Sequence, residues 1–336
     1  MTNGLPQLHW LDVLGASSGS GLSKRRSWKV LREGAPIESH LGESGWFKSW
    51  MPVKVIGQPE SGAVKHQLRS NRYLDDCEMV VLFPKVGKRA TVCISSQVGC
   101  GVGCLFCATG TMGFKRNLSP EEMLEQVYLA RALAHQEGRH LRNVVLMGMG
   151  EPLHNLDAVC RSIEFMVSDR GFGLRERHIT VSTSGIPSAM LQLVKRFTSV
   201  RMALSLHSAR ADDRRRLMPK APNDLSLLQE TIQEINSLQG GEGEAAPVWI
   251  EYVLIDSWND TDEDAEQLAE FCRGLRVEVN LIPLNGTVTS GQRALCATPK
   301  ERQQRFADLL RGAGIKTTIR NSFGNDEQAA CGQLVT

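Results

Sequence analysis

The chain has 336 residues, of which 41% are hydrophobic and 23% charged, and its formal net charge is +2. That length suits one large α/β domain or two smaller ones, and that composition excludes a disordered or strongly basic chain, so any nucleic-acid contact must come from a local patch. No run approaches the roughly 18 apolar residues of a membrane span, no secretory leader is visible, and nine unevenly spaced cysteines point to a reducing compartment, so a cytoplasmic protein with no membrane partner is expected.

Residues 1–76 read as an N-terminal accessory region with little pattern. Gly15–Gly21 is linker-like, and Ser23–Lys29 sets four cations around Trp28, either a solvated helix face or an RNA-touching patch. From Cys77 to Ile94 two apolar runs flank Pro84-Lys85-Val86-Gly87-Lys88, which predicts a β-hairpin. Its second strand, Ala90–Ile94, leads into Cys100-Gly101-Val102-Gly103-Cys104-Leu105-Phe106-Cys107.

Three thiolates in a C-x3-C-x2-C spacing can converge on one metal centre, and the glycines between them let the loop curl. They are one ligand short of zinc or a fully protein-ligated 4Fe–4S cluster, and no fourth Cys or His follows at ligand-like spacing. A cluster with one open iron for a substrate or cofactor is the favoured reading. Inert buried thiols and a zinc site borrowing a distant ligand are the alternatives.

Beyond the loop, strand and helix alternate. Ser119-Pro120-Glu121-Glu122 is an N-cap, a first-turn proline and a capping box, opening a helix. Strands are predicted at 144–147, 179–182, 200–206, 248–255 and 277–282, and helices at 156–167, 189–197, 225–238 and 262–271. Gly240–Gly243 reads as a surface loop, and Thr298-Pro299-Lys300-Glu301 as a second capping box opening a last helix. Six βα units predict a mostly parallel sheet in a closed or partial barrel, with ligands at the strand C-termini.

Unusual residues fall at those ends. Gly148-Met149-Gly150-Glu151 offers close backbone approach to a ligand and a carboxylate for an ammonium or ribose hydroxyl. Ser182–Gly185, Ser205-Leu206-His207 and Asn280–Asn285 end three further strands. Near the chain end, Ala329-Ala330-Cys331-Gly332 surrounds a cysteine with small residues, which leaves a thiol accessible for nucleophilic chemistry.

Cys93–Cys100, the three-cysteine loop with Ala108-Thr109-Gly110, Gly148–Leu153, Ser182–Gly185, Ser205–His207, Arg216–Pro219, Asn280–Pro283 and Ala329–Leu334 together resemble the RlmN/Cfr family of radical S-adenosylmethionine (SAM) RNA adenine methyltransferases, closer to RlmN. The resemblance covers about residues 78–334. It implies a partial (β/α)6 TIM-like radical-SAM barrel over 77–322, after the 1–76 region and before a catalytic tail at 323–336.

The resemblance further implies a 4Fe–4S cluster on Cys100, Cys104 and Cys107, with SAM on the unique iron. One SAM methylates Cys331, and a second yields a 5′-deoxyadenosyl radical that takes a hydrogen from that methyl group. The carbon radical adds to an adenine ring carbon, C2 more than C8, which is too electron-poor for direct transfer. Glu78 matches the position of the base that removes the ring proton, and Cys93 then attacks Cys331 to free the RNA through a transient disulfide. SAM contacts map to Gly150, Glu151, Ser182, Ser205, Leu206, His207 and Asn285. The implied partners are 23S rRNA, with tRNA as a second substrate, and an electron donor such as flavodoxin or ferredoxin, acting on a monomer. The competing readings are a non-catalytic iron–sulfur or zinc RNA-binding protein and a radical-SAM enzyme on a non-RNA substrate.

Overall fold

A computed structural model describes residues 49–240, 246–284, 288–290, 293–320 and 334. The 15–21 linker, the basic 23–29 stretch, the loop at 241–243, Asn285 and Cys331 lie outside the described residues.

Strands β1 (Trp50–Gln58), β2 (Ala63–Ser70), β3 (Asp76–Leu82) and β4 (Arg89–Cys93) pair antiparallel in sequence. β3 and β4 are the expected hairpin. β1 and β2 were not anticipated and lie inside the weakly patterned 1–76 stretch. β5 (Gln97–Gly99) and β6 (Phe114–Asn117) form a small antiparallel pair around the helical turn α1 (Ala108–Thr111).

Alternation follows: α2 (Pro120–Gln136), β7 (His140–Leu146), α3 (Leu156–Val167), β8 (Ile179–Thr183), α4 (Pro187–Arg196) and β9 (Arg201–Ser205). Next come α5 (Ala211–Leu217), α6 (Leu225–Leu238), β10 (Val248–Leu254), α7 (Asp262–Cys272) and β11 (Val277–Pro283). A hairpin of β12 (Val288–Ser290) and β13 (Arg293–Leu295), then α8 (Lys300–Gly312) and β14 (Thr317–Ile319), complete the described chain. The sheet order is β1-β2-β3-β4-β7-β8-β9-β10-β11-β14, parallel from β4 onward. This is the predicted partial barrel.

α2 starts as its sequence dictates: Ser119 Oγ accepts from Glu122 N–H at 3.3 Å, and the Glu122 carboxylate accepts from Ser119 N–H at 2.8 Å. α8 does not. Its N-cap is Pro299, without a side-chain cap. The Thr298 hydroxyl turns inward and donates to Asp260 Oδ2 at 2.8 Å, so the second capping box is not formed.

The two faces of the sheet differ in chemistry. Val92, Val144, Val181, Leu204, Ile250, Tyr252 and Leu281 are fully buried in the main core. Alternate residues turn the other way. The register aligns Ser182, Ala203, Trp249 and Glu278 across four strands, and Ser205, Glu251, Asn280 and Thr318 one step farther along. The inner face therefore carries Ser182, Ser205, Glu251 and Asn280 beside the apolar Ala203 and Trp249, and the main core lies on the other face.

Candidate active site

The three-cysteine loop hangs between β5 and β6. Cys100 N–H donates to Gly113 O at 3.0 Å and closes the loop at its base. Leu105 N–H donates to Leu217 O at 2.9 Å, and Lys220 N–H to Val102 O at 3.3 Å, tying the loop to the segment after α5. Leu217 and Met218 join Val102, Val253 and Ile255 in a small apolar cluster against which Cys100, Cys104 and Phe106 pack. The Arg216–Pro219 motif thus contributes the floor under the loop. Thr109 in α1 donates its hydroxyl to the carbonyl of Leu334 at 2.7 Å, across 225 residues of sequence. Leu334, the one described residue of the tail, is itself buried.

A cavity of about 160 Å³ opens beside this loop, where the strand C-termini were expected to gather ligands. All three cysteines line it, together with Gly150, Glu151, Ser182, Ser205 and His207. Burial pushes the Cys100 thiol up to about 11 and lifts Cys104 and Cys107 above the usual thiol range. Neighbouring cysteines and Glu151 add to the rise at Cys100 and Cys104. The loop therefore holds protonated thiols, and thiolate ligation of a metal releases those protons.

Gly148 and Gly150 line the cavity and also meet backbone neighbours closely. A Cβ on Gly148 would stand 2.6 Å from Ile94 O, and one on Gly150, at φ 102°, would stand 2.5 Å from Gln97 Cβ. Both glycines let the β7 loop seat against the segment after β4, and both remain on the cavity wall. Glu151 is buried and bridges loops: its carboxylate accepts from Ser184 N–H at 2.7 Å and from Leu153 N–H at 3.1 Å. Its remaining lone pairs face the cavity.

Ser182 Oγ and Ser205 Oγ lie 3.3 Å apart on adjacent strand ends. His207 has φ 59°, a backbone that side chains rarely adopt. Its Nδ1 accepts from Val253 N–H at 3.0 Å, so Nε2 carries the ring proton, and the ring meets Phe106 edge-on at 4.7 Å. Burial, with the charge of Arg214, lowers its pKa to about 3, so the ring is neutral. Leu206 is packed in the main core and is not among the residues that line the cavity.

Three charged residues at the site escaped the sequence reading. Arg214 is fully buried and donates to the carbonyls of Ser184, Ser205 and Leu206, pinning two strand ends together. Burial lowers its pKa to about 10, against the pull of Cys104 and Glu151. Glu251 lines the cavity; its Oε1 accepts from Asn280 Nδ2 at 3.0 Å and from Arg320 Nη2 at 2.9 Å, while Oε2 is buried without a partner among the described residues. A lone glutamate inside Val248-Trp249-Ile250-Glu251-Tyr252-Val253-Leu254 was the available signal.

Cys93 and Glu78, the two other residues to which the resemblance gives a role, are not among the residues that line this cavity. Cys93 is in register with Val145 and so shares a face with Met147, which does line it. Cys93 also faces Val80, two residues from Glu78 and on the same side of β3. Glu78 is 2% exposed and its carboxylate lies 3.3 Å from Lys65 Nζ, itself 2% exposed.

The profile of the radical SAM superfamily matches residues 94–272. A "dual-specificity RNA methyltransferase RlmN" of Marinomonas sp. is 39% identical over 84% of this chain and 76% of its own length. A "probable RNA methyltransferase" of Rhodopirellula baltica is 43% identical over 77% of this chain and 66% of its own. The chain belongs to the RlmN family of the radical SAM superfamily. A solved radical SAM methyltransferase from Sphaerobacter thermophilus superposes with a TM-score of 0.79 at 40% identity, covering 85% of this chain and 81% of that one.

The radical SAM superfamily implies a 4Fe–4S cluster with SAM, and Cys100, Cys104 and Cys107 on the wall of this RlmN-family cavity are the thiols that would hold it. Among the described residues, no three His, Cys, Asp or Glu donors are close enough to hold one metal ion as they stand. Thiolates of a cluster each bind a different iron and stand farther apart than ligands of one ion. Ser184 Oγ and Glu251 Oε2, both buried without partners among the described residues, suit a polar ligand in this cavity.

Proposed function

We propose that this RlmN-family chain methylates an adenine ring carbon of RNA, C2 of an adenosine in 23S rRNA with tRNA as a second substrate, through a methylated Cys331. The observation that carries this reading is the Thr109–Leu334 hydrogen bond, which seats the tail end, three residues past Cys331, on the turn that follows Cys107. A radical-SAM enzyme without tail chemistry has no use for that tether.

In this reading the Cys331 thiolate takes a methyl group from one SAM by substitution. A 4Fe–4S cluster held by Cys100, Cys104 and Cys107 supplies, once reduced by a donor such as flavodoxin or ferredoxin, the electron that cleaves a second SAM. Gly150, Glu151, Ser182, Ser205, His207 and Asn285 orient that SAM, and Leu206 acts through its backbone. The 5′-deoxyadenosyl radical from that cleavage would take a hydrogen from the Cys331 methyl group, and the methylene radical would add to the ring carbon and give up its unpaired electron to the oxidised cluster. Glu78 accepts the proton lost from the ring, and the Cys93 thiolate attacks Cys331 Sγ, forming a disulfide while the electron pair of the broken S–C bond stays on the RNA-borne carbon, which takes a proton from solvent to become the methyl group. Mass spectrometry of rRNA and tRNA nucleosides from cells with and without the gene tests this: loss of a methyladenosine with the gene supports it, and identical nucleosides refute it.

A further inference from the structure

β2 runs toward the cavity rim and β3 runs back, because β3 is antiparallel to β4, whose C-terminal end carries the cysteine loop. The turn at 71–75 therefore stands on the same rim as the loop. Three large apolar side chains are bare there: Leu74 at 76% exposure, Phe114 at 52% and Tyr73 at 49%. Leu74 also has φ 58°, a backbone that suits glycine and strains a bulky residue. A strained backbone that holds leucine out in solvent is a feature often tied to a binding role.

The cluster of side chains is built, not incidental. Arg116 bridges Asp75, at 2.7 and 2.8 Å, and Glu122, at 2.8 and 2.9 Å, clamping the turn onto β6. Its guanidinium lies 4.1 Å from the Tyr73 ring centroid, and that of Arg72 lies 5.1 Å from it. Phe114 stands two residues before Arg116 on the same strand, and its Cβ is 3.7 Å from where a Cβ on Gly101 of the cysteine loop would be. Arg72 has no carboxylate partner among the described residues, which leaves a cation beside the aromatic faces. Aromatic rings and guanidinium planes stack on any base, and apolar side chains fill gaps between bases.

We propose that Tyr73, Leu74 and Phe114 form a wedge that stacks with unpaired bases of the RNA and fills the space left by the adenosine entering the cavity. A base modified at a ring carbon must leave its stack, and something must occupy the vacancy. The proposal rests on the reading that RNA is the substrate.

The test is filter binding of deproteinised 23S rRNA to anaerobically reconstituted holoprotein. Tyr73→Ala and Phe114→Ala should each weaken binding about 5- to 150-fold, while Tyr73→Phe binds like the wild type. Leu74→Gly should weaken binding although it relieves the backbone, which separates the wedge from a folding defect. The salt dependence should be unchanged in all, because no phosphate contact is lost. Undiminished affinity in Tyr73→Ala/Phe114→Ala overturns the wedge and leaves the RNA reading standing. No binding by the wild type overturns the RNA reading, and the wedge with it. If the double variant keeps its affinity but turns a wild-type dimer into a monomer, the patch is a contact between copies and the wedge is equally overturned.

Discussion

Arg320 Nη2 stands 2.9 Å from Glu251 Oε1, so the residue that follows the last strand is bonded to the middle of β10. Glu251 is 4% exposed on its side chain, and burial raises its pKa against the pull of Arg320 and Asn280. Arg320→Met should therefore destabilise the protein by about 3 kcal/mol, because it leaves a buried carboxylate without its cation. Glu251→Gln/Arg320→Met should recover much of that loss. Urea unfolding of the wild type, Glu251→Gln, Arg320→Met and the double variant gives the answer, and additive losses would deny the coupling.

Iron content tests the cysteine loop. Protein made anaerobically should carry about four irons per chain, and Cys100→Ala, Cys104→Ala or Cys107→Ala should lose most of them. Elemental analysis showing stoichiometric zinc and no iron would end the radical reading. Glu151→Ala should keep the iron yet cleave SAM more slowly, since it lies on the cavity wall outside the three-cysteine loop.

Cys93 and Cys331 should fail differently. Cys331→Ala should abolish methyl transfer and still cleave SAM. Cys93→Ala should trap the RNA adduct, because addition to the base precedes the release step. Covalent RNA should purify with Cys93→Ala and be absent from Cys93→Ala/Cys331→Ala. Normal turnover by Cys93→Ala, with no attached RNA, removes Cys93 from the mechanism.

Acid should weaken the fold before the carboxylates titrate. Burial holds His66 at about 4 and, with Arg214, His207 at about 3, both below the ordinary value near 6.5. The unfolded chain then binds more protons than the folded one between those values, so stability falls as pH drops from about 6.5 toward 4. His66→Leu should flatten that slope without cost, because the buried Nε2 has no partner among the described residues. Urea midpoints at pH 5 and 7 that respond to pH as the wild type does would reject the assignment.

Much of this architecture was legible because its periods are clean. Residues 156–167 and 225–238 were predicted as helices with the observed ends, since their apolar residues recur at helical spacing. β1 was not legible: Pro52 and Gly57 interrupt it, and as an edge strand it is mostly exposed, so it shows no core alternation. β2 hides its identity by burying Lys65 and His66. At the site, the cysteines and strand-end motifs were visible, whereas Arg214 sits in a run of arginines that reads as a solvated helix face. Only its carbonyl partners, brought together by the strand ends, distinguish it from Arg215 and Arg216, which are exposed.

The sheet does not close on itself: β1 and β14 stand at its two ends and are not paired among the described residues. The scaffold is thus a trough, not a tube. A tube admits only what can be threaded into it from an end. A trough lets a long polymer lie across its lip and lower one interior unit inside, so a nucleotide far from either terminus of a folded RNA needs no free end to reach the cavity.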